Sequence, residues 1–440
     1  MKSIIASLML GAAIPMSSVP AVAQPASSAA RVDGKAAVTE IRRIVAQNYV
    51  LPDVRPKLDA ALAKGLAEGR YDVSDPSDLV DRINADLTSV AHDKHLSIHY
   101  DPAEAAEISK QPAGADADDA PPTAEDIRGA QQRNYGLVQM KLLPGNIRYL
   151  DTSGFVWAGP ASTAAYDDAM RFLRDGDAAI IDLRHNGGGS PEAVQYMISH
   201  FVEPNRPLVT FHMGADKVNS LSSLPTLAAG RMVGKPLYVL TSNMTASAAE
   251  EFTGHVAGYK LGEIIGENTA GAGFRNSFFP VPGGFVISVS VGRAVLASTG
   301  KDWEGVGIAP TTKVAADKAL EVAEGHALRR IAATASPAEK IELEAAATVL
   351  AAQVDPVATA LPLSAYTGTF GVRTVTLENG KLAYSRDGGP KAAIIPIDAN
   401  QFAFEDDPKS RLSYSVAGNS TTGFELTRSD GSHLTANRTP

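Results

Sequence analysis

The chain has 440 residues, of which 44% are hydrophobic and 20% charged, the balance of a globular protein with two or three domains. Its 40 Lys and Arg against 49 Asp and Glu give a formal net charge of −9 with no basic cluster, which argues against nucleic acid or an anionic membrane surface as a partner. The absence of cysteine excludes disulfides, a thiol nucleophile, a Cys-based metal site and a cysteine-linked lipid anchor.

Residues 1–23 read as a secretory signal. Lys2 gives the positive start, Ile4 to Ile14 a short apolar run, and Ala21-Val22-Ala23 a small-residue cleavage site before Gln24. The run is too short to span a bilayer, and no other stretch reaches the roughly 18 apolar residues that a membrane helix needs. The mature protein is therefore expected in the periplasm or the medium.

Residues 35–100 carry apolar residues at helical spacing: Val38, Ile41, Ile44 and Val45, then Leu58, Leu62 and Leu66, then Leu79, Ile83 and Leu87. Asp75-Pro76-Ser77 marks a helix start, and a small helical domain is expected. Residues 101–133 are rich in Ala, Asp and Pro without an apolar period, and read as a linker. Over 134–315 strands alternate with helices, as an α/β core requires. Asn146–Leu150, Ala178–Leu183, Leu237–Leu240, Gly262–Gly266 and Phe285–Leu296 are the strand candidates. Ala161–Leu173, Pro191–Phe201 and Ala246–Tyr259 are the helices. Residues 316–362 return to Ala- and Glu-rich helix. Residues 363–440 hold short alternating segments with turns at Glu378-Asn379-Gly380 and Asp430-Gly431, the pattern of a small all-β, barrel-like domain.

Two segments of the core carry chemistry. In Leu237–Phe252 a buried strand ends in a turn of small residues and a helix begins near Ser247. Free N–H groups and the positive end of the helix dipole would stabilise an oxyanion there. Taken alone, the segment reads more simply as a helix cap, since Ser and Thr are common at that position. In Asp182–Ser190 three consecutive glycines follow a buried strand, which lets backbone N–H groups converge on an anion. No Gly-Lys-Ser/Thr follows, so it is not a phosphate loop, and no G-x-S-x-G elbow surrounds Ser247.

Together these segments resemble the S41 peptidases, the family of C-terminal processing proteases, tricorn-type core domains and interphotoreceptor retinoid-binding protein. The resemblance rests on D-x-R-x-N-G-G-G at Asp182–Gly189, T-A-S-A-A-E at Thr245–Glu250, G-E-x-T-x-G at Gly266–Gly271 and E-G-x-G-I-x-P at Glu304–Pro310, with a weaker match at Asp93-Lys94-His95. It covers residues 36 to 315 and implies a ClpP/crotonase-like α/β core. The branch that uses a Ser–Lys dyad carries its lysine where this chain has Ala272, which cannot take a proton. The tricorn-type Ser–His–Glu arrangement, carried over, falls on Ser247, His95 and Glu304. The serine that precedes the histidine there is Lys94 here.

The mechanism implied is acyl transfer on peptides or unfolded polypeptides. Ser247 is the nucleophile, His95 the general base and then acid, and Glu304 the orienting group. Backbone N–H groups of Gly188 and Ala248 form the oxyanion hole, and no metal or cofactor is required. The same fold also serves hydrophobic-ligand carriage in the retinoid-binding branch, and the same chemistry serves esters. Those readings remain as alternatives.

Overall fold

The computed structural model describes residues 32–110, 121–214 and 217–439. The expected signal segment lies outside them. Among the described residues no helix is long and apolar enough to cross a membrane.

Three helices open the described chain: α1 (Gly34–Asn48), α2 (Arg55–Ala67) and α3 (Pro76–Val90). Their starts follow from local chemistry. Asp33 accepts from Ala36 N at 2.9 Å, and Asp75 accepts from Ser77 N at 2.7 Å with Pro76 in the first turn. Strand β1 (Ser97–Tyr100) follows, then α4 (Pro102–Ile108) and α5 (Ala124–Gln132). Both of these last helices fall in the stretch expected to be a linker. The reason is capping rather than periodicity. Asp101 accepts from Ala103 and Glu104 N–H, each at 3.0 Å, and Thr123 with Asp126 forms a reciprocal capping box.

The central sheet runs in the order β11-β8-β7-β4-β3-β2. Its members are β2 (Leu137–Leu143), β3 (Ile147–Thr152), β4 (Ala178–Asp182), β7 (Leu237–Thr241), β8 (Glu263–Gly266) and β11 (Thr312–Lys313). All pairs are parallel except β2 with β3. Strands β4 and β7 are buried at every residue, as their unbroken apolar runs require. Helices α6 (Pro160–Arg174), α7 (Pro191–Ile198) and α8 (Ala248–Tyr259) share one core with the sheet through Tyr166, Leu173, Val194, Met197 and Phe252. Helices α9 (Ala319–Ala332) and α10 (Pro337–Val354) share a second core with it through Ala323 and Leu328 of α9 and Leu343 and Ala347 of α10.

A second, antiparallel sheet contains β5 (Pro207–Met213), β6 (Lys217–Ser222), β9 (Phe274–Val281) and β10 (Phe285–Leu296), with β1 at its far end. The apolar faces of α1 and α3 pack onto Phe285, Ile287 and Val289 of β10. The N-terminal helices therefore complete their core with a strand from far along the chain, not among themselves. Beyond α10, β12 to β19 (Gly368–Phe370, Arg373–Glu378, Lys381–Arg386, Ala392–Asp398, Gln401–Phe404, Arg411–Ala417, Ser420–Thr427, His433–Asn437) form an eight-stranded antiparallel meander. Thr439 N donates to Thr369 O at 2.8 Å, so the last strand returns to the first. Phe370, Phe402, Tyr414 and Phe424 fill the interior.

Candidate active site

Parallel neighbours β4 and β7 end side by side, which brings the turns that follow them together at the carboxyl edge of the sheet. Three contacts lock the two turns. Thr245 Oγ1 donates to Leu183 O at 2.7 Å, Ala246 N donates to Asn186 O at 3.1 Å, and Ser242 Oγ donates to Arg184 O. Asp182 anchors the glycine turn from below through an ion pair to Arg184 at 2.6 Å and the Tyr149 hydroxyl at 2.7 Å.

Ser247 sits where the second turn meets α8, with φ 54° and ψ −120°. A non-glycine residue there costs about 1–3 kcal/mol and persists only where its surroundings enforce it. The enforcing group is Glu250, fully buried. Its Oε2 accepts from Ser247 N at 3.0 Å and Ala272 N at 2.7 Å, and its Oε1 from Gly271 N and Thr269 Oγ1, each at 2.6 Å. One carboxylate thus ties the Ser247 turn to the turn after β8. The Ser-x-x-Glu spacing of a capping box was the signal in the sequence for this role.

His95 arrives from the loop between α3 and β1. Asn84 on α3 clamps Ile98 of β1 by both amide atoms, at 2.8 and 2.9 Å. Asp93 Oδ1 accepts from His95 N at 2.8 Å. The imidazole Nε2 then lies 3.3 Å from Ser247 Oγ. Burial pushes the imidazole pKa down, against the opposing charges of Asp93 and Glu250. The ring is therefore neutral near pH 7 and able to accept a proton.

Glu304 spends Oε2 on Gly273 N at 2.6 Å and Phe274 N at 2.9 Å. Burial lifts its pKa to about 7, opposed by those N–H bonds and aided by the charges of Asp93 and Glu250. No hydrogen bond joins Glu304 to His95 among the described residues, and His95 Nδ1 is buried without a partner. Lys94, in the place of the expected bridging serine, turns away and donates to Ala270 O at 2.6 Å.

Residues 146–314 match the profile of peptidase family S41, and residues 29–139 that of the N-terminal domain of peptidase S41 in eukaryotic IRBP. The chain belongs to peptidase family S41. A probable CtpA-like serine protease of Staphylococcus haemolyticus is 27% identical over 151 residues, 34% of this chain and 29% of that protein. A probable CtpA-like serine protease of Staphylococcus epidermidis is 27% identical over 139 residues, 32% of this chain and 28% of that protein. The chain thus matches less than a third of the length of these curated relatives. Among solved structures, the photosystem II D1 C-terminal processing protease aligns at 19% identity, covering 65% of this chain and 94% of that one, with a TM-score of 0.41.

In this S41 domain Ser247 and His95 open onto a cavity of about 530 Å³, walled by Gly189, Ala272, Phe274 and Trp303. The Ala248 N–H, at the first turn of α8, makes no hydrogen bond among the described residues. The Gly188 N–H differs from expectation. It donates to Asn186 Oδ1 at 2.9 Å, because the Asn186 carboxamide folds over its own turn. Gly187 and Gly189, not Gly188, line the cavity. Gly188 instead provides close approach: a Cβ added there would lie 2.7 Å from Ser247 Cβ.

The remaining histidines near the motifs take other places. His185 is exposed and His255 is buried, with Nε2 3.4 Å from Glu251 Oε1. His99 pairs with Glu104 at 2.6 Å. Among the described residues no three His, Asp or Glu side chains converge as a metal-binding group.

Proposed function

We propose that this chain is an exported serine-type peptidase that cleaves peptides or unfolded polypeptides through an acyl-enzyme on Ser247. The observation that carries the reading is the 3.3 Å approach of His95 Nε2 to Ser247 Oγ at the amino end of α8. The strained turn and the neutral imidazole support it. Ser247 Oγ attacks the scissile carbonyl carbon while its proton passes to His95 Nε2. The carbonyl oxygen becomes an oxyanion that takes the Ala248 N–H and an N–H of the glycine turn. His95 then protonates the departing amine, the C–N bond breaks and an ester remains on Ser247. Water, deprotonated by His95, resolves that ester. Glu304, buried near Asp93 and Glu250, belongs to the carboxylate cluster of the site and takes the glutamate place of the Ser–His–Glu arrangement that the family resemblance implies. Export rests on the signal-like residues 1–23 and places the activity in the periplasm or medium.

The test is covalent labelling by a fluorophosphonate. Wild type is expected to label at one serine, Ser247→Ala not at all, and His95→Ala at a rate lower by about 10³-fold or more. Labelling that survives Ser247→Ala refutes the nucleophile assignment.

A further inference from the structure

We propose that Asp93, rather than Glu304, is the carboxylate that orients His95 and stabilises the imidazolium form. The inference rests on the Ser247–His95 chemistry proposed above and assigns Asp93 as a positioning residue. Asp93 is only 9% exposed. Its Oδ1 already holds the His95 backbone N–H at 2.8 Å, so carboxylate and imidazole belong to one tight turn. Its Oδ2 is buried with no close hydrogen-bond partner among the described residues, and so is His95 Nδ1; the Tyr49 hydroxyl is the other group that approaches this carboxylate. Each orphan is costly alone, and each is what the other lacks. If Nε2 is to accept a proton from Ser247, the neutral ring must carry its proton on Nδ1, and a donor there needs an acceptor. Among the charges that favour the imidazolium, that of Asp93 is the largest, and the carboxylate is fixed by the same residue's own backbone N–H.

Glu304 is less suited to that task. One of its oxygens is committed to Gly273 and Phe274, and near neutrality it is partly protonated. The other groups facing the imidazole are accounted for. Glu250 reaches from α8 but uses both oxygens on the nucleophile and β8 turns. Tyr49, at the end of α1, is buried, and its ionisation is suppressed first by burial, then by the Asp93 charge and a hydrogen bond to that carboxylate, and last by Glu304; the two oxygens of Asp93 can serve both this hydroxyl and His95. The Lys94 ammonium is held on Ala270 O.

The experiment follows the His95 ring in ¹⁵N-labelled protein through a pH titration, beside the pH profile of serine phosphonylation by a fluorophosphonate. It compares wild type, D93N, D93E and E304Q. D93N is expected to lower the His95 pKa by about one unit or more, because a negative charge beside the imidazolium is lost. It also moves the ring toward the Nε2–H tautomer and slows labelling by about 100-fold or more. D93E recovers part of each, and E304Q changes the titration less than D93N. A wild-type titration and tautomer in D93N overturns the proposal, as does a larger change in E304Q than in D93N. If D93N does not fold, folded E304Q decides: persistence of the Nδ1–H tautomer supports Asp93, and its loss overturns it. A wild type that fails to label refutes the peptidase reading, while the titration still decides the role of Asp93.

Discussion

Replacing Glu250 by Gln keeps the side chain's shape and removes one acceptor. Four donors converge on this carboxylate: Ser247 N, Ala272 N, Gly271 N and Thr269 Oγ1. If the new NH₂ stands at the Oε2 position, it faces the N–H groups of Ser247 and Ala272, and both are orphaned. At the Oε1 position it faces Gly271 N–H and the Thr269 hydroxyl, and only the hydroxyl can turn to accept. The second arrangement is the cheaper. It orphans one buried N–H, at about 1–3 kcal/mol, and downgrades the surviving bonds from charge-assisted to neutral, at about 1 kcal/mol each. The expected loss is therefore about 3–5 kcal/mol. The strain at Ser247 is no longer fully enforced, so phosphonylation by a fluorophosphonate should fall by about 100-fold or more. Denaturant unfolding of the α/β core and the labelling rate read the two effects. An E250Q protein that loses less than about 0.5 kcal/mol and labels at the wild-type rate would refute the claim that this carboxylate holds the nucleophile turn.

Two further outcomes follow from the same geometry. Gly188→Ala meets φ 111° and a Cβ 2.7 Å from Ser247 Cβ, so strain and overlap together cost about 2–5 kcal/mol and displace the nucleophile. Gly187→Ala, with nothing within 4 Å of its Cβ and no positive φ, should cost under about 1 kcal/mol; equal losses for the two variants count against the close-approach argument. For Glu304 the folded pKa of about 7 lies above its ordinary 4.5, so between these values the native state holds a proton that the unfolded chain has released. Stability therefore declines as pH rises through that window, by about 3 kcal/mol at full burial and about 1–2 kcal/mol after allowing for partial exposure. E304Q should flatten the decline in unfolding experiments at pH 5 and pH 8; an unchanged slope would show that Glu304 does not carry it.

Much of the core was legible because its elements have strong local signals. Buried strands β4 and β7 are unbroken apolar runs, α6 and α8 keep a helical period, and β10 begins and ends where its extended pattern does. Helices α4 and α5 were not legible as helices, because short surface helices rest on caps rather than on an apolar stripe. The β5–β6 hairpin and β9 escaped for a related reason: they lie partly exposed at the cleft and sheet edge, where side-chain pattern is weak. The helical region read as a separate domain, yet its apolar faces close on β10, and no local period names the partner of an apolar face.

The sequence by itself determined the small-residue segment around Ser247, the glycine turn and, through the family resemblance, the alanine at 272 where the Ser–Lys branch has its lysine, since each is a matter of residue type. Only the tertiary structure decided which groups meet. Parallel pairing of β4 with β7 set Gly188 against Ser247. The packing of α3 and β1 on β10 carried His95 to the serine, and a single buried carboxylate, Glu250, joined two turns that are far apart in the chain. Lys94 reaches Ala270 across a separation of 176 residues. Hydrogen bonds and close contacts of this kind depend on ångström-scale positions set by the packed sheet, and sequence spacing does not encode those positions.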